Sequence, residues 1–506
     1  MDYGFIIDNR RCIGCHACTV ACKAEHRIPL GCFRTWVKYV EKGVFPHVKR
    51  QFTVLRCNHC DDAPCVNICP TGALFHRDDG IVDFERTRCI ACKSCMAACP
   101  YDAIYIDPET DTAAKCNYCA HRMEAGLEPA CVTACPVSAI VAGDLDSPAS
   151  AISRLLALNR TSVRKPEQGT APKVHYINGD TASLMPDAAP KTSSYIWAQR
   201  HEGPQGRREM NDPGSARTVY DVAHGKPWGR AVSAYLWAKS LATGPILVAS
   251  LLSLMGLVRA PELFGRSAPL IAVLMGFVTT LCLVGDLERP ERFLKVLYRP
   301  NPRSWLTWGA YLLVVYSGIA FFWGAAGYTN QAEVIRSLLW PGLLFAALAA
   351  GYSAFLLVQA RGRDLWHSRL LFPHLIVQSV LAGSGVLVLA ALYNDSGPGL
   401  TDLLLRWLVG ALCLHGIFVL SEIGLPHGSL HAGASVGHMV QGPLARMFWL
   451  GAVLAGIAVP IYQLAYHFSG RSAGSFTPVS AVILALVGLL VYQNCYIRAG
   501  QAVPLS

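Results

Sequence analysis

The pattern of hydrophobic and polar positions changes character near residue 230. Beyond it, apolar residues run almost unbroken in eight stretches, at about 231–257, 268–286, 304–324, 337–359, 370–392, 403–422, 447–468 and 477–497. Each is long enough to cross a hydrocarbon layer about 30 Å thick, which takes about twenty helical residues. The charges gather mainly between the runs, as expected of membrane spans. Before residue 230 the apolar runs are short. Ala73-Leu74-Phe75-His76 and Ile81-Val82-Asp83-Phe84 flank Asp79-Gly80, which predicts a hairpin with a two-residue turn. Ile104-Tyr105-Ile106 precedes a second turn, at 107–112. Residues 181–230 lack periodicity and are punctuated by Gly203-Pro204, Asp212-Pro213-Gly214 and Gly225-Lys226-Pro227, the marks of a connector. The pattern therefore predicts three parts: an α+β domain over 1–180, a linker over 181–230, and an all-α membrane domain of eight transmembrane helices over 231–506.

Charge sharpens this division. Only 15% of the 506 residues are charged, against roughly 25% in an average soluble protein. That figure mixes 53 charges in residues 1–230 (23%) with 25 in residues 231–506 (9%). A single soluble domain and a disordered chain are both excluded. The net charge of +10 contains no Lys/Arg tract, so it is no nucleic-acid footprint. With eight spans both ends fall on one side. Thirteen Lys and Arg flank the spans there, from Arg217 to Arg498, against four on the other side: Arg259, Arg266, Arg336 and Arg471. The positive-inside rule makes the richer side cytoplasmic and puts the first domain with it. Met1 to Arg11 is short, mixed and carries Asp2 and Asp8, so no secretory leader is expected and the cysteines should meet a reducing compartment.

Seventeen of the twenty cysteines lie in residues 1–135, and sixteen of them form four quartets. These are Cys12, Cys15, Cys18 and Cys22; Cys57, Cys60, Cys65 and Cys69; Cys89, Cys92, Cys95 and Cys99; and Cys116, Cys119, Cys131 and Cys135. The first and third have the C-x2-C-x2-C-x3-C spacing of bacterial [4Fe–4S] ferredoxins. The second and fourth widen one gap, to four and eleven residues. Three thiolates in a tight loop wrap one cubane, and the fourth, placed past the loop at the opening of a helix, reaches a neighbouring cluster. Pro70, Pro100 and Pro136 follow three of the quartets, and Lys23 stands in that place after the first. Structural zinc, built from two C-x2-C pairs or mixed Cys/His sets, fits this spacing poorly. Four [4Fe–4S] clusters and a ferredoxin-like fold are therefore expected. Cys32, Cys282, Cys413 and Cys495 read as small buried or apolar fillers.

The run Cys57-Asn58-His59-Cys60, Pro64-Cys65-Val66 and Cys69-Pro70-Thr71-Gly72-Ala73-Leu74 resembles the four-cluster electron-transfer subunits of the dimethyl sulfoxide and polysulfide reductase type. The likeness covers residues 3 to about 178 and includes Gly143-Asp144-Leu145-Asp146 and Ala171-Pro172-Lys173-Val174-His175-Tyr176. It implies nested two-cluster ferredoxin units. One cluster would take Cys12, Cys15, Cys18 and Cys135, and another Cys116, Cys119, Cys131 and Cys22. The inner pair would take Cys57, Cys60, Cys65 with Cys99, and Cys89, Cys92, Cys95 with Cys69.

In the apolar half, Gly285-Asp286-Leu287-Glu288-Arg289-Pro290-Glu291-Arg292-Phe293 and Tyr298-Arg299-Pro300-Asn301-Pro302-Arg303-Ser304-Trp305 resemble the NrfD-type membrane subunits of the polysulfide reductase family. That likeness, over about 225–500, implies a quinone-interacting anchor. Polar groups inside a membrane are costly and point to function. Lys239, Asp286, His374, His415 and Glu422 all fall, by span parity, in the half facing the first domain, and Tyr235 lies one turn before Lys239. These six are the candidate quinone site. Lys239 has a second reading, as a snorkelling side chain or a buried partner of Asp286. Asp402 and Arg406 read as an i,i+4 ion pair. The two histidines invite a haem, which the resemblance speaks against. No residue pattern would activate a small substrate, so a catalytic partner is expected, by resemblance of the molybdopterin type. A nickel–iron hydrogenase partner and a redox-coupled ion-translocating protein are the alternatives.

Overall fold

The computed structural model describes residues 1–44, 46–189, 216–257, 262–470 and 476–506. The chain divides into two units. One is Met1–Pro227 with Ala360–Gly362 and Pro504–Ser506; the other is Trp228–Gln359 with Arg363–Val503.

In the first unit, β1 (Tyr3–Asp8) is the hub of a four-stranded sheet with β8 (Ile140–Asp144), β9 (Thr161–Ser162) and β10 (Val174–Ile177), in the order β8-β1-β10-β9. The β1–β10 pair is parallel, with Phe5 opposite Val174, and the other pairs are antiparallel. One face is covered by the helix Ala151–Leu158, whose Ser150 cap accepts the Ser153 N–H at 3.1 Å. Ile6, Ile152 and Ile177 form the apolar centre there. A second sheet is built on β2 (Thr35–Val44) and β3 (His47–Arg56), two ten-residue strands in a hairpin that the short-run pattern did not predict. Its third strand is β11 (Ala216–Tyr220), paired antiparallel with β2.

That strand lies inside the expected connector, as does the helix Thr181–Leu184, capped by Asp180. The described ends of the connector are thus ordered, because Thr218 is buried and donates to Ala189 O at 2.6 Å. Its centre, 190–215, including Gly203-Pro204 and Asp212-Pro213-Gly214, lies outside the described residues. The hairpin of β4 (Leu74–His76) and β5 (Val82–Phe84) forms, but with a different turn. Gly80 N–H reaches Arg77 O at 3.1 Å and Arg77 N–H reaches Ile81 O at 2.9 Å. Gly80, at φ 76°, therefore takes the left-handed position of a three-residue loop rather than the second place of a two-residue turn. The second expected hairpin pairs β6 (Ile104–Asp107) with β7 (Thr112–Lys115).

Among the described residues, the second unit holds eight helices long and apolar enough to cross a membrane. They are α1 (Arg230–Leu254), α2 (Leu263–Gly285), α3 (Trp305–Tyr328), α4 (Ala332–Gln359), α5 (Leu371–Tyr393), α6 (Pro398–Gly424), α7 (Met447–Phe468) and α8 (Phe476–Gly500). All eight overlap the predicted runs. In α1 83% of the most apolar stretch is buried, against 22–28% in α2, α3 and α7. Leu274, Phe277, Phe321 and Phe322 are exposed, as lipid-facing residues are. Asp402 and Arg406 form their ion pair at 3.1 Å.

Without a hydrophobic force between helices in lipid, close packing depends on small residues. Close crossings use glycine pairs: Gly244 of α1 against Gly383 of α5, Gly265 of α2 against Gly327 of α3, and Gly456 of α7 against Gly488 of α8. A Cβ on Gly383 would sit on the backbone of Gly244. We expect Gly383→Ala to force α1 and α5 apart, at a cost of about 1–3 kcal/mol. Unfolding in detergent, followed by scanning fluorimetry, should show a lower midpoint for it. Gly410→Ala, whose Cβ would meet open space, should unfold like the unaltered protein.

Candidate functional site

The cysteine loops share a local geometry. Gly14 and His16, before Cys18, have positive φ of 72° and 61°; Ala91 and Lys93, before Cys95, have 56° and 61°. Non-glycine residues in this region are strained and concentrate at functional sites. Here they curl the backbone so that three cysteines share one concavity. It is the third cysteine, not the fourth as the spacing suggested, that stands in the first turn of a helix: Cys65 in Pro64–Ile68 and Cys95 in Ser94–Ala98. The fourth, Cys69 or Cys99, closes the helix in extended conformation, ψ 115° and 113°. The following prolines explain this, since a residue before proline is pushed out of the helical region. Lys23 imposes no such break, so the helix Ala17–His26 runs straight through Cys22. The Lys23 Nζ instead donates to Pro29 O and Cys32 O at 2.9 and 2.6 Å. Cys32 itself is only partly buried and Cys413 is exposed, so neither is an interior filler.

One cavity is lined by Cys12, Cys15, Cys18 and Cys135. A second is lined by Cys69, Cys89, Cys92 and Cys95. The thiols that act most strongly on Cys22 are Cys116, Cys131 and Cys119. Cys99 is prominent in the field on both Cys60 and Cys65, as is Cys57. The donor chemistry suits iron: cysteine sulfur lines both cavities, and Glu85 is the one carboxylate in either lining. Burial pushes Cys18 and Cys99 up to about 11, and Cys92 and Cys119 up to about 12. Such thiols stay protonated at neutral pH, and a metal's positive charge is what favours their ionisation.

Basic side chains stand among these thiols. Arg56 Nη1 donates to Cys131 Sγ at 3.1 Å, His26 Nε2 lies 3.2 Å from Cys119 Sγ, and Lys115 Nζ lies 3.6 Å from Cys57 Sγ. Burial, reinforced by the Arg34 charge, lowers His26 to about 4, so its ring is neutral. His59, whose Nδ1 accepts the Val82 N–H at 3.2 Å, is held well below the usual histidine value by burial and by the Lys115 and Lys173 charges.

In the membrane unit two buried polar groups form. In the first, Lys239 Nζ donates to Ala350 O at 2.8 Å and to Ser353 Oγ at 2.6 Å, and stands 4.8 Å over the Tyr352 ring. The Tyr235 and Tyr352 hydroxyls meet, and Tyr235 also reaches Ser353 at 3.1 Å. Lys239 is 1% exposed, so it does not snorkel. Its nitrogen is held by α4 rather than by the alternative partner, Asp286. In the second group, His374 Nε2 and His415 Nδ1 share a 2.8 Å hydrogen bond, and His374 Nδ1 lies 3.7 Å from Glu422 Oε1. Tyr492 donates to the other oxygen of Glu422. Two neighbouring residues of α5 make further buried contacts: Ser379 Oγ accepts from Thr243 at 3.2 Å, and Gln378 Oε1 accepts from Gln493 at 2.8 Å. The six candidates thus separate into Tyr235 with Lys239, and His374 with His415 and Glu422. Asp286 caps the end of α2, half-buried, and belongs to neither set of contacts just described.

Residues 218–504, more than half of the chain, match the family described as polysulphide reductase, NrfD. The protein belongs to the NrfD family. It is accordingly a multi-pass membrane protein. Residues 48–145 match the 4Fe-4S dicluster domain, so the same polypeptide carries an iron–sulfur electron-transfer head. That head is similar to a tetrathionate reductase subunit of Salmonella typhimurium, 46% identical over 188 residues, 36% of this chain and 75% of the relative. It is similar to a polysulfide reductase component of Wolinella succinogenes, 42% identical over 180 residues, 35% of this chain and 93% of the relative. It is also similar to a putative dimethyl sulfoxide reductase iron-sulfur subunit of Halobacterium salinarum, 35% identical over 251 residues, 44% of this chain and 94% of the relative.

Sequence reasoning about this NrfD-family protein missed Tyr352, Ser353, Gln378, Tyr492 and Gln493. Serine and tyrosine are too common in apolar helices to stand out singly. It also passed over Arg56 and Lys115, although each directly precedes a quartet's first cysteine.

Proposed function

We propose that this protein is the electron-transfer and membrane-anchor subunit of a membrane-bound respiratory oxidoreductase. It passes electrons, in either direction, between the quinone pool and a separate catalytic subunit. The observation that carries this reading is the joining, in one polypeptide, of sixteen grouped cysteines to a membrane domain with a buried polar interior. The sixteen cysteines hold four [4Fe–4S] clusters in the nested sets given above, and the clusters supply one-electron relay.

A two-electron quinol also yields two protons, so its site needs hydrogen-bond donors at the quinone oxygens and side chains that accept protons. Lys239, Tyr235 and Tyr352 are donors of that kind, and His374, His415 and Glu422 are acceptors; Asp286 stays a further candidate. Most of them lie toward one end of the bundle, early in α5 and late in α6 and α8. The excess of Lys and Arg on that side supports a cytoplasmic head. The relatives named as parts of tetrathionate, polysulfide and dimethyl sulfoxide reductases support a separate catalytic subunit, and the resemblance of the quartets makes it one of the molybdopterin type.

Purification of the membrane complex in mild detergent tests this. A co-purifying molybdenum-containing protein, and bleaching of the visible cluster absorption on addition of a quinol, are the expected results. A nickel-containing partner would replace the molybdopterin assignment. Ion flux without any quinone reaction would overturn the reading as a whole.

A further inference from the structure

Two cations are enclosed in the head where the proposed ligand sets meet. Arg56, the last residue of β3, is 1% exposed, and Lys115, the last residue of β7, is fully enclosed. Neither has a carboxylate in ion-pairing distance among the described residues. An unpaired buried charge is strongly unfavourable unless something of opposite sign faces it. Arg56 uses Nη1 on Cys131 Sγ, while its Nε and Nη2 are buried with no partner among the described residues. The guanidinium lies 4.3 Å over the Phe5 ring, which fixes its plane. The thiols that act on it most are Cys131, Cys116 and Cys18. The first two belong to one proposed cluster and the third to its neighbour. Lys115 Nζ donates to Cys116 O at 2.8 Å and to Val82 O, and lies 3.6 Å from Cys57 Sγ.

We infer that Arg56 and Lys115 are fixed charges that raise the reduction potentials of the clusters beside them, Arg56 for two clusters at once and Lys115 for the one on Cys57 and Cys65. The inference rests on the ligand sets proposed above. Reduction adds one electron, and so one negative charge, to a cluster; the electron comes from the neighbouring cluster, which is oxidised in turn. No bond is made or broken and no proton moves. A cation held in a dry interior stabilises the more negative, reduced form over the oxidised one, and N–H donors to sulfur act in the same sense. Guanidinium keeps its charge at every working pH, so its effect on the two clusters does not follow the pH. Arg56 is thus a positioning residue for electrons, shared by two adjacent relay points.

The test is an EPR-monitored potentiometric titration of the full-length protein in detergent, preceded by iron analysis. In Arg56→Gln two midpoint potentials should fall, each by at least a tenfold change in the reduced-to-oxidised ratio, which is about 59 mV for one electron. The other two should hold. Arg56→Lys, which keeps the charge, should restore most of the fall. Lys115→Gln should lower a different cluster. In the unaltered protein grown with 15N-arginine, pulsed EPR should show a nitrogen coupling to a reduced cluster that disappears in Arg56→Lys. Unchanged potentials in a fully loaded Arg56→Gln would overturn the inference. Should that variant fail to load, the lack of an Arg56-dependent coupling in the labelled protein would overturn it instead. Iron well below about sixteen atoms in the unaltered protein would refute the ligand sets, a separate failure.

Discussion

Replacing Cys65 by alanine is expected to remove one whole cluster, lowering the iron content from about sixteen atoms to about twelve. Cys65 is buried in the first turn of the helix Pro64–Ile68. The loss reaches beyond one cofactor. Around these loops the cysteines are buried together with hydrophobes such as Ile68, Leu74 and Tyr118, so metal binding and packing of this interior are coupled. Removing a cluster should therefore cost several kcal/mol of head stability, on the scale by which structural metals contribute to small domains. Limited proteolysis should cut Cys65→Ala within residues 57–99 much faster than the unaltered protein. Quinol-driven reduction of the partner should fall below detection, since the clusters act in series. A variant with full iron and normal turnover would remove Cys65 from the ligand set.

The second large effect is expected in the membrane. Lys239→Leu should slow reduction of the clusters by quinol about 10²–10⁴-fold, the range lost with a positioned proton donor. Iron content and reduction by dithionite should not change, because those clusters belong to the other unit. Lys239 lies nine residues beyond the start of α1, about 14 Å along it. The amine is held there by Ala350 O and Ser353 Oγ, which accept its N–H hydrogen bonds. Leucine would also remove one hydrogen bond from each of those acceptors, at about 0.5–1.5 kcal/mol each. The comparison of quinol with dithionite separates this structural cost from a role at the quinone. Equal rates with quinol in the variant and the unaltered protein would take Lys239 out of the site.

How far the sequence carried can be judged from particular residues. The eight spans were legible because a hydrocarbon layer demands about twenty apolar residues, a constraint each helix meets alone. The cysteine quartets were legible because three ligands of a cubane come from one short loop. The ordering of β11, the long hairpin β2–β3 and the parallel pairing of β1 with β10 were not. Each joins segments whose partners are chosen by how sheets stack, and their local patterns are too weak to select one partner. The turn at Gly80 shows the same limit on a small scale, since Asp-Gly suits a two-residue loop and a three-residue loop alike.

By itself the sequence determined that this protein has a sulfur-rich redox head and an eight-helix membrane body, since ligand spacing and apolar length are properties of continuous stretches. Only the tertiary structure decided that Lys239 meets Ser353 and Tyr352, that His374 meets His415 and Glu422, and that Arg56 and Lys115 are enclosed among the thiols. The reason is physical. Those contacts join residues far apart in sequence, such as Lys239 with Ser353 at a separation of 114. Their meeting depends on where helices and strands cross, which glycine pairs such as Gly244 and Gly383 permit and no local pattern records.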